Sequence, residues 1–262
     1  MQSLYTAATG MLAQQMNIDT ISNNLANVST QGFKKQRVEF QDLLYMNVKP
    51  AGTPSTREST VPVGIQIGEG TKPVATQRIF TQGSISNTGN SLDLLIEGSD
   101  GFFKVVRADG EVVYTRDGAF KKDGDGNIVN SDGYMLDPQV QIPEDALSIE
   151  IPSDGRILVN LVGQEEAVEI GQIELARFVN PAGLEAMGHN VYRPTAASGE
   201  AIEGTPSSQG FASVAQGSLE LSNVDVVDEM VNLIVAQRAY EINSRAVQTA
   251  DDMMSAVVSL KQ

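Results

Sequence analysis

From Ser218 to Gln262 the chain contains neither glycine nor proline, although it carries 24 glycines and ten prolines in all. A stretch of that length without a structure-breaking residue reads as one long helix. Apolar or small residues recur along it at helical intervals: Met230, Ile234, Gln237, Tyr240, Ser244, Val247, Ala250, Met254 and Val257. Ser222 or Asn223 can serve as the N-cap, and Asp225, Asp228 and Glu229 follow where the helix dipole favours negative charge. A helix of about 38 residues from Val224 would extend roughly 57 Å, longer than a globular domain ordinarily uses.

The first 33 residues predict a second helix, from Leu4 to Asn27. Its apolar face draws on Leu4, Ala8, Met11, Leu12, Ile18, Ile21, Leu25 and Val28. Asp19 is its one charged side chain; the other polar positions are Gln, Asn, Ser and Thr. A water-exposed helix is better served by Glu and Lys. The face is therefore either a poorly optimised surface or one that is buried against other protein or an internal channel, where amides are satisfied by hydrogen bonding.

All ten prolines and 20 of the glycines fall between Pro50 and Pro206. Seven Asp-Gly pairs between Asp100 and Gly155 separate short β-branched or alternating runs such as GFFKVVRA, GEVVYTRDG and RILVNLV, the pattern of hairpins with tight turns. Residues 49–72 read as an extended, irregular arm rich in Pro, Gly, Ser and Thr. The expected fold is α+β: long N- and C-terminal helices paired as a coiled-coil-like domain, with a β-rich central domain between them. The expected boundaries are 1–32 with 218–262 for the helical assembly domain, 33–72 for the arm and 73–217 for the β-rich outer domain.

Two paired helices leave half of each surface wet, and the middle offers no long helical pattern to cover them. Neighbouring copies of the chain are the remaining source. A face that docks onto a different face of the next copy, without closing a ring, builds a helical tube.

Composition removes other function classes. The formal net charge of −15 opposes nucleic-acid backbones and anionic membrane surfaces, and aromatics amount to 5% with no Trp. Without Cys there is no thiolate metal site, and with a single histidine, His189, no multi-histidine site. His189 reads as a turn residue. The segment Asp123–Asn127, DGDGN, imitates half a calcium loop, but Ile128 stands where the loop needs Gly and Tyr134 where it needs Glu; paired hairpin turns are the better account. No P-loop or nucleophile elbow occurs. No catalytic residue, metal or cofactor is expected, nor direct insertion into a membrane, nor a cleaved signal peptide.

The segment Ile21–Lys35, ISNNLANVSTQGFKK, resembles the rod motif of the flagellar axial proteins, the family of rod, hook and hook-associated subunits. Glu229–Met254, EMVNLIVAQRAYEINSRAVQTADDMM, is similar to that family's C-terminal signature, and LLIEGSDGFFKV and YTRDGAFKKDGDGNIV resemble the hairpins that open its β domain. Ser29 and Gln31 stand where the family often has Asn and Pro. The length and the arm around Met46 to Gly70 most resemble the distal-rod members, in which that stretch goes with a straight, stiff shaft. The resemblance implies a structural subunit that polymerises into a hollow tube. Its terminal helices would line an export channel and its β domain would form the outer wall. The chain would be delivered by the flagellar type III export apparatus and would carry torque across the periplasm. The implied partners are further copies of itself, proximal rod subunits, hook protein, the P and L ring proteins and the rod cap.

Within that resemblance Asn23, Asn24 and Asn27 would bond between helices or cap the turn, Gly32 would give the freedom to leave the helix, and Phe33 would anchor the exit. Gln237, Arg238, Tyr240 and Ile242 would pack or bond across subunits, together with the apolar positions Leu4, Met11, Ile18, Ile21, Leu25, Met230, Ile234, Val247 and Met254. Two rivals stay open from the residues: a proximal rod or hook subunit of the same family, and a secreted β-rich binding protein whose helices only close its own domain.

Overall fold

The computed structural model describes residues 2–50, 63–163, 166–208 and 210–259. An N-terminal helix, α1 (Gln2–Ala26), and a C-terminal helix, α2 (Val226–Ser259), flank a middle made of short strands. The fold is α+β, with helices at the ends and β structure between them. At 34 residues, α2 starts two residues later than its apolar pattern suggested. Neither expected capping side chain serves it. Ser222 Oγ accepts from Val224 N–H at 3.3 Å, and Asn223 is bonded elsewhere. Asp225 instead occupies the position before the first helical residue, and Asp228 and Glu229 lie in the first turn as the dipole favours.

The chain divides into two compact units: residues 1–25, 36–77 and 226–262, and residues 26–35 with 78–225. In the first, strands Gln36–Asp42 and Thr71–Arg78 pair, and Tyr45–Lys49 pairs with Ile65–Gly68 in an antiparallel ribbon. The described part of the segment expected to be irregular is thus β-paired, and residues 51–62 lie outside the described residues. The ribbon repeats apolar residues on both strands, and Tyr45, Met46, Val48, Ile65 and Ile67 are all exposed.

In the second unit an antiparallel sheet runs Glu185–Gly188, Val191–Arg193, Val112–Thr115, Phe102–Val106, Met135–Leu136, Ile128–Val129, Lys121–Lys122. Leu175–Arg177 also pairs with Phe102–Val106 and with Ile202–Gly204. Strand residues alternate faces. Phe103, Val105 and Val113 therefore enter one core with Phe120, Ile157 and Ile173, and Phe102 and Tyr114 enter a second, aromatic core with Phe178 and Tyr192. Because both faces are covered, GFFKVV is apolar without the alternation of a one-sided strand. The Asp-Gly pairs supply turns as expected. Gly110, Gly126 and Gly133 have φ of 84°, 87° and 82° and close hairpins through Gly110 N–H to Arg107 O, Gly126 N–H to Asp123 O and Gly133 N–H to Asn130 O. The calcium-like segment is one of these turns.

Candidate assembly surface

In the first unit, α1 and α2 approach each other at two described contacts. Asn24 Nδ2 donates to Glu229 Oε2 at 3.3 Å, and a Cβ added to Gly10 would stand 2.9 Å from Asn243 Nδ2. The two contacts lie fourteen residues apart on both helices and in opposite chain order, so the helices run antiparallel over roughly 21 Å. The less exposed residues of α2 recur at steps of three and four: Glu229, Leu233, Ala236, Ala239, Asn243, Val247 and Ala250. That is the spacing of a narrow helix seam. It is lined mostly by small or polar residues: Ala7, Ala13 and Asn24 are buried on α1, and Ala236 and Ala250 on α2. Small side chains let helices approach closely but bury little apolar area.

Most large apolar residues of α2 face away from the seam. Val227, Met230, Val231, Ile234 and Val235 are spaced at i, i+3, i+4, i+7 and i+8, the stripe of a docking face, and each is more than half exposed. Ile242 and Met254 are exposed as well, at 66% and 43%. Gln237 is exposed, and Arg238 pairs with Glu241 of its own helix, at 3.2 Å. On α1, Tyr5, Leu12 and Met16 form an exposed row. Leu4, Met11, Ile18 and Leu25 are half-buried, Ile21 is buried and Asn23 is exposed. Of the residues expected at the assembly surface, Ile21, Asn24 and Val247 lie on the inner side of the helices, whereas Met230, Ile234, Gln237, Arg238, Tyr240, Ile242, Met254 and Asn23 are exposed.

Asn27, Gly32 and Phe33 belong to the second unit. Asn27 Oδ1 accepts from Thr30 Oγ1 at 3.1 Å in the turn after α1. Gly32 has φ of 66°, and its N–H donates to Glu220 O at 2.8 Å. A Cβ there would stand 2.7 Å from Asp117 N, so both the conformation and the space call for glycine. Phe33 is buried with the Arg78 guanidinium 6.0 Å from its ring centroid.

Beside this turn is a buried charge cluster that no sequence pattern indicated. The Glu220 carboxylate accepts from Lys34 Nζ, from Gly83 N–H at 2.9 Å and from Arg116 at 3.4 Å, and the side chains of all three charged residues are at most 1% exposed. Lys34 Nζ also donates to Thr81 O at 2.7 Å, and Arg116 to Gly98 O at 2.9 Å and to Ser99 O. Burial pulls both cations below their ordinary pKa values, and the Glu220 carboxylate opposes the shift. The cluster ties the turn after α1, the strand Val112–Thr115 through Arg116, and the strand Ser218–Glu220 into one unit. A buried lysine carries no periodic signal; only the folded position of its partner reveals it.

Charge divides unevenly between the two units. Residues 26–35 and 78–225 hold 23 Asp and Glu against 11 Lys and Arg, and the remainder holds 10 against 7. Copies can pack through the nearly neutral unit at little electrostatic cost, while the acidic one favours solvent. Among the described residues no group of three or more His, Asp or Glu could hold a metal ion, and no helix is long and apolar enough to cross a membrane.

Three family models match the chain. These are the flagella basal body rod protein over residues 4–34, the flagellar hook protein FlgE/F/G D1 domain over 95–159, and the flagellar basal body rod FlgEFG protein C-terminal over 215–260. The chain is 51% identical to the flagellar basal-body rod protein FlgG of Borreliella burgdorferi, covering 100% of the chain and 99% of the relative, and 47% identical to that of Caulobacter vibrioides, covering 100% of both. The flagellar hook protein FlgE of Salmonella typhimurium is 24% identical over 422 aligned residues.

Proposed function

The chain belongs to the FlgG family of flagellar basal-body rod proteins and is a structural, non-enzymatic subunit of the distal rod, and from that premise we propose how its surfaces assemble. The seam between α1 and α2 continues as a coiled-coil-like pair, and pairs from successive copies pack side by side into the wall of a hollow tube. The docking face is the outward stripe Val227, Met230, Val231, Ile234 and Val235, carried on by Ile242 and Met254. Tyr5, Leu12 and Met16 on α1 meet a neighbouring copy, and Gln237, Arg238 and Asn23 make the polar contacts between copies. This exposed stripe on a helix whose inner seam is already occupied is the observation that carries the reading, because a second apolar face needs a second partner. The self-contained binding protein is disfavoured for the same reason.

In this arrangement the domains divide as 1–32 with 218–262, 33–72 and 73–217, and the acidic β unit forms the outer wall. The tube encloses the channel used by the type III export apparatus, joins proximal rod subunits to hook protein, turns within the P and L rings across the periplasm, grows beneath a rod cap and carries torque. The test is hydrogen exchange on the purified chain, dilute and concentrated, with electron microscopy of the product. Fast exchange in α1 and α2 of the dilute chain, then protection in tubular polymers, is the expected result. Fully protected helices in a persistent monomer would overturn it.

A further inference from the structure

The chain passes between its two units four times, after residues 25, 35, 77 and 225. Inside each unit one asparagine side chain binds the backbone or side chains of segments that enter three of these crossings. In the first unit Asn24, 1% exposed, forms a reciprocal amide pair with Gln36, Nδ2 to Gln36 O and Gln36 N–H to Oδ1, both at 2.9 Å, and also donates to Glu229. It thus joins the segments next to the first, second and fourth crossings. In the second unit Asn223 Oδ1 accepts from Lys35 N–H at 2.8 Å, while Nδ2 donates to Ile79 O at 2.8 Å and to Thr81 O at 3.2 Å. Ile79 N–H in turn donates to Lys35 O at 3.0 Å. That joins the segments at the second, third and fourth crossings.

We propose that Asn24 and Asn223 are positioning residues that share load among the chain crossings. Force entering one segment of a unit passes through the amide to the other two, so that the crossings yield together and not singly. An asparagine suits the task because its short amide offers a donor and an acceptor in one plane, matching the peptide groups it replaces as partner. The idea rests on the rod reading only for its use of force; the clamps themselves belong to the isolated chain.

The experiment compares Asn24→Ala and Asn223→Ala with the wild-type full-length chain. In amide exchange followed by NMR, Asn223→Ala should speed exchange at Lys35 and Ile79, and Asn24→Ala at Gln36, by at least about tenfold, with Val105 and Val113 unchanged. In cells lacking their own distal-rod subunit, motors built with Asn223→Ala should turn normally at low load and lose at least half their torque at high load. Unchanged exchange at these three amides, equal loss of protection throughout the β core, or a load response parallel to wild type would each overturn the proposal. Failure of the wild-type chain to build rotating rods there would instead count against the rod reading, since the exchange measurements need no rod.

Discussion

Replacing Glu220 by glutamine removes one charge and almost no volume, so it reads the electrostatics of the buried cluster without opening a cavity. The carboxylate faces two cations whose side chains are fully buried, and it is hydrogen-bonded to both. Glutamine keeps a single acceptor oxygen for Lys34 or Gly83 and turns an NH2 toward donors. Removing one member of a buried ion pair costs on the order of 3–5 kcal/mol, chiefly because the remaining charge stays desolvated. Some acceptor capacity survives, which favours the lower part of that range. For a urea dependence of about 2 kcal/mol per molar, the unfolding midpoint should fall by roughly 1.5–2 M. Circular dichroism with tyrosine fluorescence is a suitable assay, since Tyr114 and Tyr192 are buried in the same unit and the chain has no Trp. The exposed Arg193–Glu185 pair supplies a control, and Glu185→Gln should leave the midpoint within error. A Glu220→Gln midpoint within about 0.5 M of wild type would show that the two cations do not depend on this counter-charge, because a desolvated pair of cations cannot lose it at so small a cost.

Gly32→Ala should destabilise the second unit by at least about 2 kcal/mol in the same assay, since a left-handed conformation penalises any Cβ and this one meets backbone; a neutral result would show that the turn relaxes. Leu25→Asp or Ile234→Asp should abolish tubes in electron microscopy while the β unit keeps its midpoint; unchanged tubes with Ile234→Asp would show that the outward stripe of α2 is not the docking face. Lys104 bonds to Asp137 at 2.7 Å and to Glu203 at 2.9 Å; burial opposes its charge, but these two bonds outweigh it and raise its pKa above the ordinary 10.5. Its contribution is therefore present below that value and fades as the pH rises past it. The stability gap between wild type and Lys104→Met should stay constant from neutral pH to about 9 and narrow above 10.5, and a gap that widens there would contradict the sign.

The two terminal helices, the hairpin middle and the α+β class were legible in the chain because each is a local matter. Freedom from Gly and Pro, apolar spacing and Asp-Gly turns act over a few neighbours, and no distant residue has to be known. The faces of α2 were only half legible: periodicity finds apolar positions but not which of two apolar stripes turns inward. Close approach decided that, since a seam at Gly10 and Ala236 admits small residues and leaves Met230 and Ile234 outside. The chain alone marked Asn223 as a cap, a role that local chemistry allows, and the tertiary structure gave its amide to Lys35, Ile79 and Thr81 instead. Lys34, Arg116 and Glu220 lie up to 186 positions apart, and only the folded backbone brings them together. A hydrogen bond or ion pair between distant segments depends on where the whole chain has placed them, so local sequence sets the elements of this protein, and the folded arrangement selects which of their residues act within the subunit and which remain for assembly.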